Sequence, residues 1–97
     1  MTEVRHGVDR LDEDIVRLLG ERFRYMDAAA RIKPGREAVR DEPRKREVLA
    51  NVARLARLHR VPEPAATALY GGLVEASIAY ELERFDSLRG GGEVPEK

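Results

Sequence analysis

The sequence predicts an all-α fold, and three observations carry that prediction. Apolar residues follow a helical period almost throughout, with no strand-like alternation. No hairpin signal of the Asn-Gly type is present. Pro and Gly collect at Pro34-Gly35, at Pro62 to Pro64 and at Gly90-Gly91-Gly92, which divides the chain into three helices and a tail. At 97 residues there is room for one small domain, assigned to residues 1–89, followed by a disordered tail over 90–97 that lacks periodicity.

The first helix is expected from about Val4 to Ile32. Pro34 stops it by pushing the preceding residue out of the helical region. On a wheel of about 100° per residue, Val8, Leu11, Ile15, Leu18, Met26 and Ala29 all fall within about 40° of Arg22. The result is one narrow apolar stripe. Such a helix is about 42 Å long, whereas a compact globule of this size has a radius of gyration of about 12.5 Å and a diameter near about 32 Å. A helix that outruns its own domain predicts a second copy packed along it, in an intertwined homodimer.

The second helix is expected to begin near Asp41 or Glu42, with Asp41 as N-cap and Pro43 in the first turn, and to end near His59. Val48, Leu49, Val52, Leu55 and Ala56 form its apolar face. The third is expected from Pro62–Pro64 to about Leu88, with a stripe of Leu69, Leu73, Ala76 and Tyr80. Gly71-Gly72 costs about 1 kcal/mol per residue against Ala, which points either to close approach of another helix or to simple tolerance.

Composition narrows the function. Lys and Arg number 18 and so do Asp and Glu, and this neutral balance argues against a disordered polyelectrolyte and against a nucleic-acid partner. With no Cys, disulfides, thiolate chemistry and Cys-based zinc sites are excluded. His6 and His59 are too few and too far apart for a metal site, so no metal or cofactor is expected. No apolar run approaches the roughly 20 residues needed to span a bilayer, and the first six residues hold no apolar signal region. A soluble cytoplasmic protein is therefore expected. The basic residues are lopsided, 15 Arg to three Lys (Lys33, Lys45, Lys97). Either the genome favours Arg codons or some Arg bind carboxylates or phosphates in a bidentate way.

The polar residues that interrupt apolar stripes are the informative ones. Arg22 sits at the centre of the first helix's stripe, and Lys33, eleven residues on, returns to within about 20° of it, about 16 Å along the axis. Two cations aimed at a core each require an anionic partner, unless Lys33 snorkels at the helix end. Arg5 lies about 100° around the wheel from Arg22, so it is either a solvated terminal Arg or a group that reaches a partner's pocket in an antiparallel dimer. Ser77 and Glu81 form an i,i+4 pair beside the third helix's stripe. Ser at such a place commonly bonds its own backbone, and Glu commonly lies in solvent or pairs with an Arg.

The spacing Arg5-x6-Asp12, the run RLDEDIVRLLGERFRYMDAAARIK from Arg10 to Lys33, and Val39-Arg40-Asp41 before the second helix resemble the all-helical chorismate mutases and the related isochorismate pyruvate-lyases. The resemblance spans about residues 5 to 85. It implies a three-helix subunit, an intertwined homodimer, and a site for a small cyclohexadiene dicarboxylate, chorismate or isochorismate. It implies that Arg22 and the Arg5 of the other subunit hold the two carboxylates, and that Lys33 binds the ether oxygen and a carboxylate. Asp41 would contribute its backbone at the pocket mouth, Arg44 would stand at the start of the second helix, Ser77 would contact a carboxylate, and Glu81 would meet the ether oxygen.

The chain departs from the family pattern at two positions. Lys45 stands where the mutases carry a Glu that contacts the ring hydroxyl, and Glu81 stands where Gln is usual. A carboxyl group donates a hydrogen bond only when protonated, a form that a dianionic substrate favours. The implied reaction is the pericyclic conversion of chorismate to prephenate, in aromatic amino acid biosynthesis. It needs no nucleophile, only a held conformer and a charge at the ether oxygen. The same pocket suits loss of pyruvate from isochorismate to give salicylate. A non-catalytic helical dimerisation or regulatory module is a third reading.

Overall fold

The computed structural model describes residues 1–90 and contains three α-helices with no strand among those residues. They are α1 (Thr2–Ile32), α2 (Glu42–Leu58) and α3 (Glu63–Leu88), with a single 3₁₀ turn at Arg36–Ala38 between α1 and α2. Gly90 follows α3 with φ 87°, in the left-handed region where glycine carries no Cβ penalty. The rest of the expected tail, residues 91–97, lies outside the described residues.

Local chemistry sets each boundary. Lys33 leaves α1 in an extended conformation, φ −64° and ψ 139°, as Pro34 requires. The Asp41 carboxylate accepts the Arg44 N–H at 3.0 Å and caps α2, whose first turn holds Pro43. At the other end of α2, Arg60 takes φ 61°, and the Val61 N–H closes on the Ala56 carbonyl at 2.8 Å.

α3 is the hub. Both α1 and α2 pack on it, whereas no Cα of α1 comes within 8 Å of one in α2. One core cluster joins Val39 to Val74 and Ile78, with Val48 and Leu82 against it. The α1–α3 seam is fixed by an edge-to-face contact of Phe23 with Tyr80, centroids 5.0 Å apart. Beside it Asp27 accepts from the Tyr80 hydroxyl at 2.8 Å and from Arg84 Nε at 3.0 Å. The bond to Asp27, more than burial, pushes the Tyr80 hydroxyl pKa up.

The stripe expected on the third helix is displaced. Val74, Ser77, Ile78, Glu81 and Phe85 are buried, while Ala76 and Leu69 face out. The reason is that α3 meets two helices, so its contact surface is wider than one stripe, and its polar pair Ser77/Glu81 lies at the centre. The glycines Gly71 and Gly72 have open space where a Cβ would stand, so none of the described helices packs closely on them.

The chain is elongated, 54 × 32 × 17 Å, with a radius of gyration of 16.8 Å. The N-terminal half of α1 accounts for this. Val4, Val8, Leu11, Ile15 and Leu18 lie on it with half or more of their surface in solvent, apart from Val8 at 49%.

Candidate active site

The C-terminal half of α1, the start of α2 and the middle of α3 enclose a cavity of about 350 Å³. From α1 come Arg22, Met26 and Ala29, with Lys33 at its end, spaced so that all four share one face. α3 contributes Val74, Ser77, Ile78 and Glu81 by the same rule, and Asp41, Arg44 and Lys45 close the α2 side. Val39 and Val48 complete an apolar floor. Four cations and two carboxylates therefore line one small space.

Arg22 is half-buried. Its Nη1 donates to Ser77 Oγ at 2.7 Å, and the Ser77 hydroxyl in turn donates to the Leu73 carbonyl at 2.7 Å. Its guanidinium also lies 5.7 Å from the centroid of the Tyr70 ring. Among the described residues no carboxylate lies within ion-pairing distance of it. Within the fold Arg22 thus meets a neutral hydroxyl, which leaves most of the guanidinium's donors unused. Ser77, expected to bond its backbone, does so while orienting Arg22 as well.

Lys33 does have its anion. Its Nζ lies 2.8 Å from Glu81 Oε2, and the Glu81 side chain is only 5% exposed. The ammonium approaches off the direction of a good hydrogen bond, so Oε2 is charge-paired without being properly bonded. Taking a carboxylate out of water costs several kcal/mol unless its remaining lone pairs are satisfied. A pair left partly unsatisfied in a cavity is poised to exchange partners.

Lys45 faces the same cavity, and its ammonium is held by Glu75 Oε2. Glu75 also accepts from both terminal nitrogens of Arg40, at 2.6 and 3.2 Å. The bonds from Arg40 and then Lys45 hold the Glu75 carboxyl down to about 2. The Arg40 guanidinium, bonded to Glu75 and to Glu42, is pushed above its ordinary value. The Glu75 bridge was not legible in the sequence. Its partners lie 35 and 30 positions away, and helical periodicity gives no hint of them.

The remaining expected site residues are more peripheral. Asp41 lines the cavity, but its carboxylate is engaged in capping α2. Arg44 lines the mouth with a largely exposed side chain that bonds Glu47 at 3.2 Å. Arg5 lies on the exposed N-terminal part of α1 and does not line the cavity of its own chain. Six of the seven expected residues therefore surround one cavity, and the seventh does not.

The sequence model of the type II chorismate mutases matches residues 4–82 of the chain, which includes every residue of the cavity. The chain belongs to the type II chorismate mutase family. An isochorismate pyruvate lyase from Pseudomonas aeruginosa is 30% identical over 90 residues, which cover 93% of this chain and 89% of that protein. Family and relative together indicate an enzyme that acts on a chorismate-type substrate. Among the described residues no helix is long and apolar enough to cross a membrane.

Proposed function

We propose that the protein converts chorismate to prephenate, and that it does so as a homodimer. The observation that carries this reading is Arg22, a cation on the wall of a cavity that no carboxylate of the described residues neutralises. A substrate carboxylate would supply that missing anion in bidentate geometry. Lys33 would turn part of its charge from Glu81 to the ether oxygen, where negative charge develops as the C–O bond breaks. The apolar floor of Val39, Val48, Val74 and Ile78 would hold the ring in the compact conformer that the rearrangement requires. Glu81 would face the ether oxygen beside Lys33.

The second subunit completes the reading. The exposed apolar face of α1 from Val4 to Leu18 continues into an apolar groove that reaches Leu55, Leu69 and Leu73 and borders Arg22. A copy of α1 lying there would cover both surfaces and bring an Arg5 toward the second carboxylate.

Loss of pyruvate from isochorismate is the alternative, favoured by one observation. Lys45, a donor tethered by Glu75, lines the cavity where an acceptor for the ring hydroxyl of chorismate is expected. Supplying chorismate and isochorismate separately and identifying the product decides between the two. Prephenate from chorismate at the higher kcat/KM supports the mutase reading. Salicylate from isochorismate as the preferred reaction would overturn it, and turnover of neither would remove the enzyme reading altogether.

A further inference from the structure

Pro34 leaves a gap in the hydrogen-bond ladder of α1, and a residue 55 positions later fills it. The last backbone donor of α1 is the Lys33 N–H, which bonds the Ala29 carbonyl at 3.0 Å. The next carbonyl, that of Ala30, would ordinarily take the N–H of residue 34, but proline has none. Ala30 is fully buried, so solvent is a poor substitute. Arg89, just beyond α3, supplies the donor: its Nη1 lies 2.7 Å from the Ala30 carbonyl. Its Nη2 donates to the Lys33 carbonyl at 2.8 Å and, at 3.4 Å, faces that of Arg31. The two arms of one planar group thus straddle the junction, one on the last turn of the helix and one on the extended residue beyond it.

The guanidinium itself is fixed. It lies 3.9 Å from the centroid of the buried Phe85 ring, and it places a positive charge at the negative end of the α1 dipole. An ammonium at this position could not match two carbonyls set so far apart in direction. A second tie, Arg36 Nε to Asp86 at 2.9 Å, binds the following turn to the same end of α3.

We propose that Arg89 is a positioning residue for Lys33: by clamping the backbone on both sides of the helix exit, it fixes where the Lys33 ammonium stands against Glu81. The clamp rests on backbone geometry, and its catalytic consequence rests on the role given to Lys33 in the proposed function.

The chain has only three lysines, Lys33, Lys45 and Lys97, which allows the position of Lys33 to be read without any substrate. Acylation of the full-length protein with acetic anhydride, followed site by site by mass spectrometry, gives the rate at Lys33 relative to Lys45. Arg89→Ala should raise that ratio at least about threefold, because a junction that opens locally frees the ammonium from Glu81. Arg89→Lys keeps the charge but not the fork and should raise it less. If Arg89→Ala does not fold by circular dichroism, Arg89→Lys carries the test, and an unchanged ratio in the folded variant overturns the clamp. In turnover, Arg89→Ala should lower kcat/KM by about tenfold, and the same change made on top of Lys33→Ala should lower it no further. An equal loss in both backgrounds would mean that Arg89 acts on the fold at large, which also overturns the proposal. If the parent turns over neither chorismate nor isochorismate, the functional reading falls, while the acylation ratio still decides the clamp.

Discussion

The two halves of α1 carry the same apolar pattern and meet opposite fates. From Leu19 to Ile32 the helix lies on α3, buries Ala30 and turns Arg22 and Met26 into a cavity. From Thr2 to Leu18 it leaves α3 behind and presents Val4, Leu11 and Ile15 to solvent. The helix propensity and stripe angle do not distinguish the halves. Only the presence of a neighbour does. One half is a finished wall of a site, and the other is a surface that burial against something else would stabilise by about 1.5–3 kcal/mol for each large side chain covered.

The sharpest way to separate the halves is to remove the charges of the finished one. Arg22→Ala and Lys33→Ala should each leave the helical content intact and lower kcat/KM by at least about 100-fold, since each deletes a charge-assisted contact in a secluded site. Steady-state kinetics beside circular dichroism reads both. Turnover that survives both substitutions would make the cations structural.

The exposed half is probed next. Leu11→Glu places a charge on the free stripe and should weaken self-association by at least about 100-fold, because the cost is incurred at both copies of the site. Sedimentation should show the parent at twice the subunit mass at micromolar concentration and the variant shifted toward 11 kDa. A parent that sediments as a folded monomer would remove Arg5 from any cavity and leave the stripe unexplained.

A smaller effect is expected at Glu81. Glu81→Gln should keep or raise kcat/KM, because an amide offers the ether oxygen an N–H donor. A marked loss of rate would show that the site needs the carboxylate charge at this position and not a donor.

The smallest effect belongs to Glu75, at the edge of the finished half. Its carboxyl is held at about 2 in the folded chain, against an ordinary 4.5. A folded value below the unfolded one means that the bridge to Arg40 and Lys45 stabilises the fold above pH 4.5, and that this contribution is lost as pH falls toward about 2. Urea midpoints of the parent and Glu75→Gln should therefore differ slightly at pH 7 and converge as pH drops through that window. With this carboxylate nearly half exposed, added salt should shrink the difference too. A gap that stays constant down to pH 3 would argue against the bridge.

The helix ends were legible in the sequence because Pro34, Asp41 and Pro62–Pro64 act on their immediate neighbours. So was the inward aim of Arg22 and Lys33, whose polarity contradicts their place in the stripe of α1, whereas Ser77 and Glu81 stood beside the expected stripe of α3 and were singled out by the family resemblance. The 3₁₀ turn at Arg36–Ala38 and the burial of Val39 were not legible, since both depend on α3 arriving from far along the chain. Periodicity chose the wrong centre for α3 because a helix wedged between two others has no single apolar side. The hydroxyl that Arg22 meets was not legible either: a pattern shows where a charge points, and cannot show which group of the fold it touches.

The arrangement of α1 and α2, each seated on α3 and neither on the other, makes the cavity an unbraced frame. Its two side walls hold their spacing through the post between them and through the short 33–41 connection at one end. A molecule that bonded Arg22 and Lys33 on one wall and Lys45 on the opposite one would be the crosspiece this frame lacks. The binding energy of such a molecule would be stored as rigidity of the whole fold, adding RT ln(1 + [L]/Kd) to its stability. Substrate would then serve as a structural member for as long as it stayed.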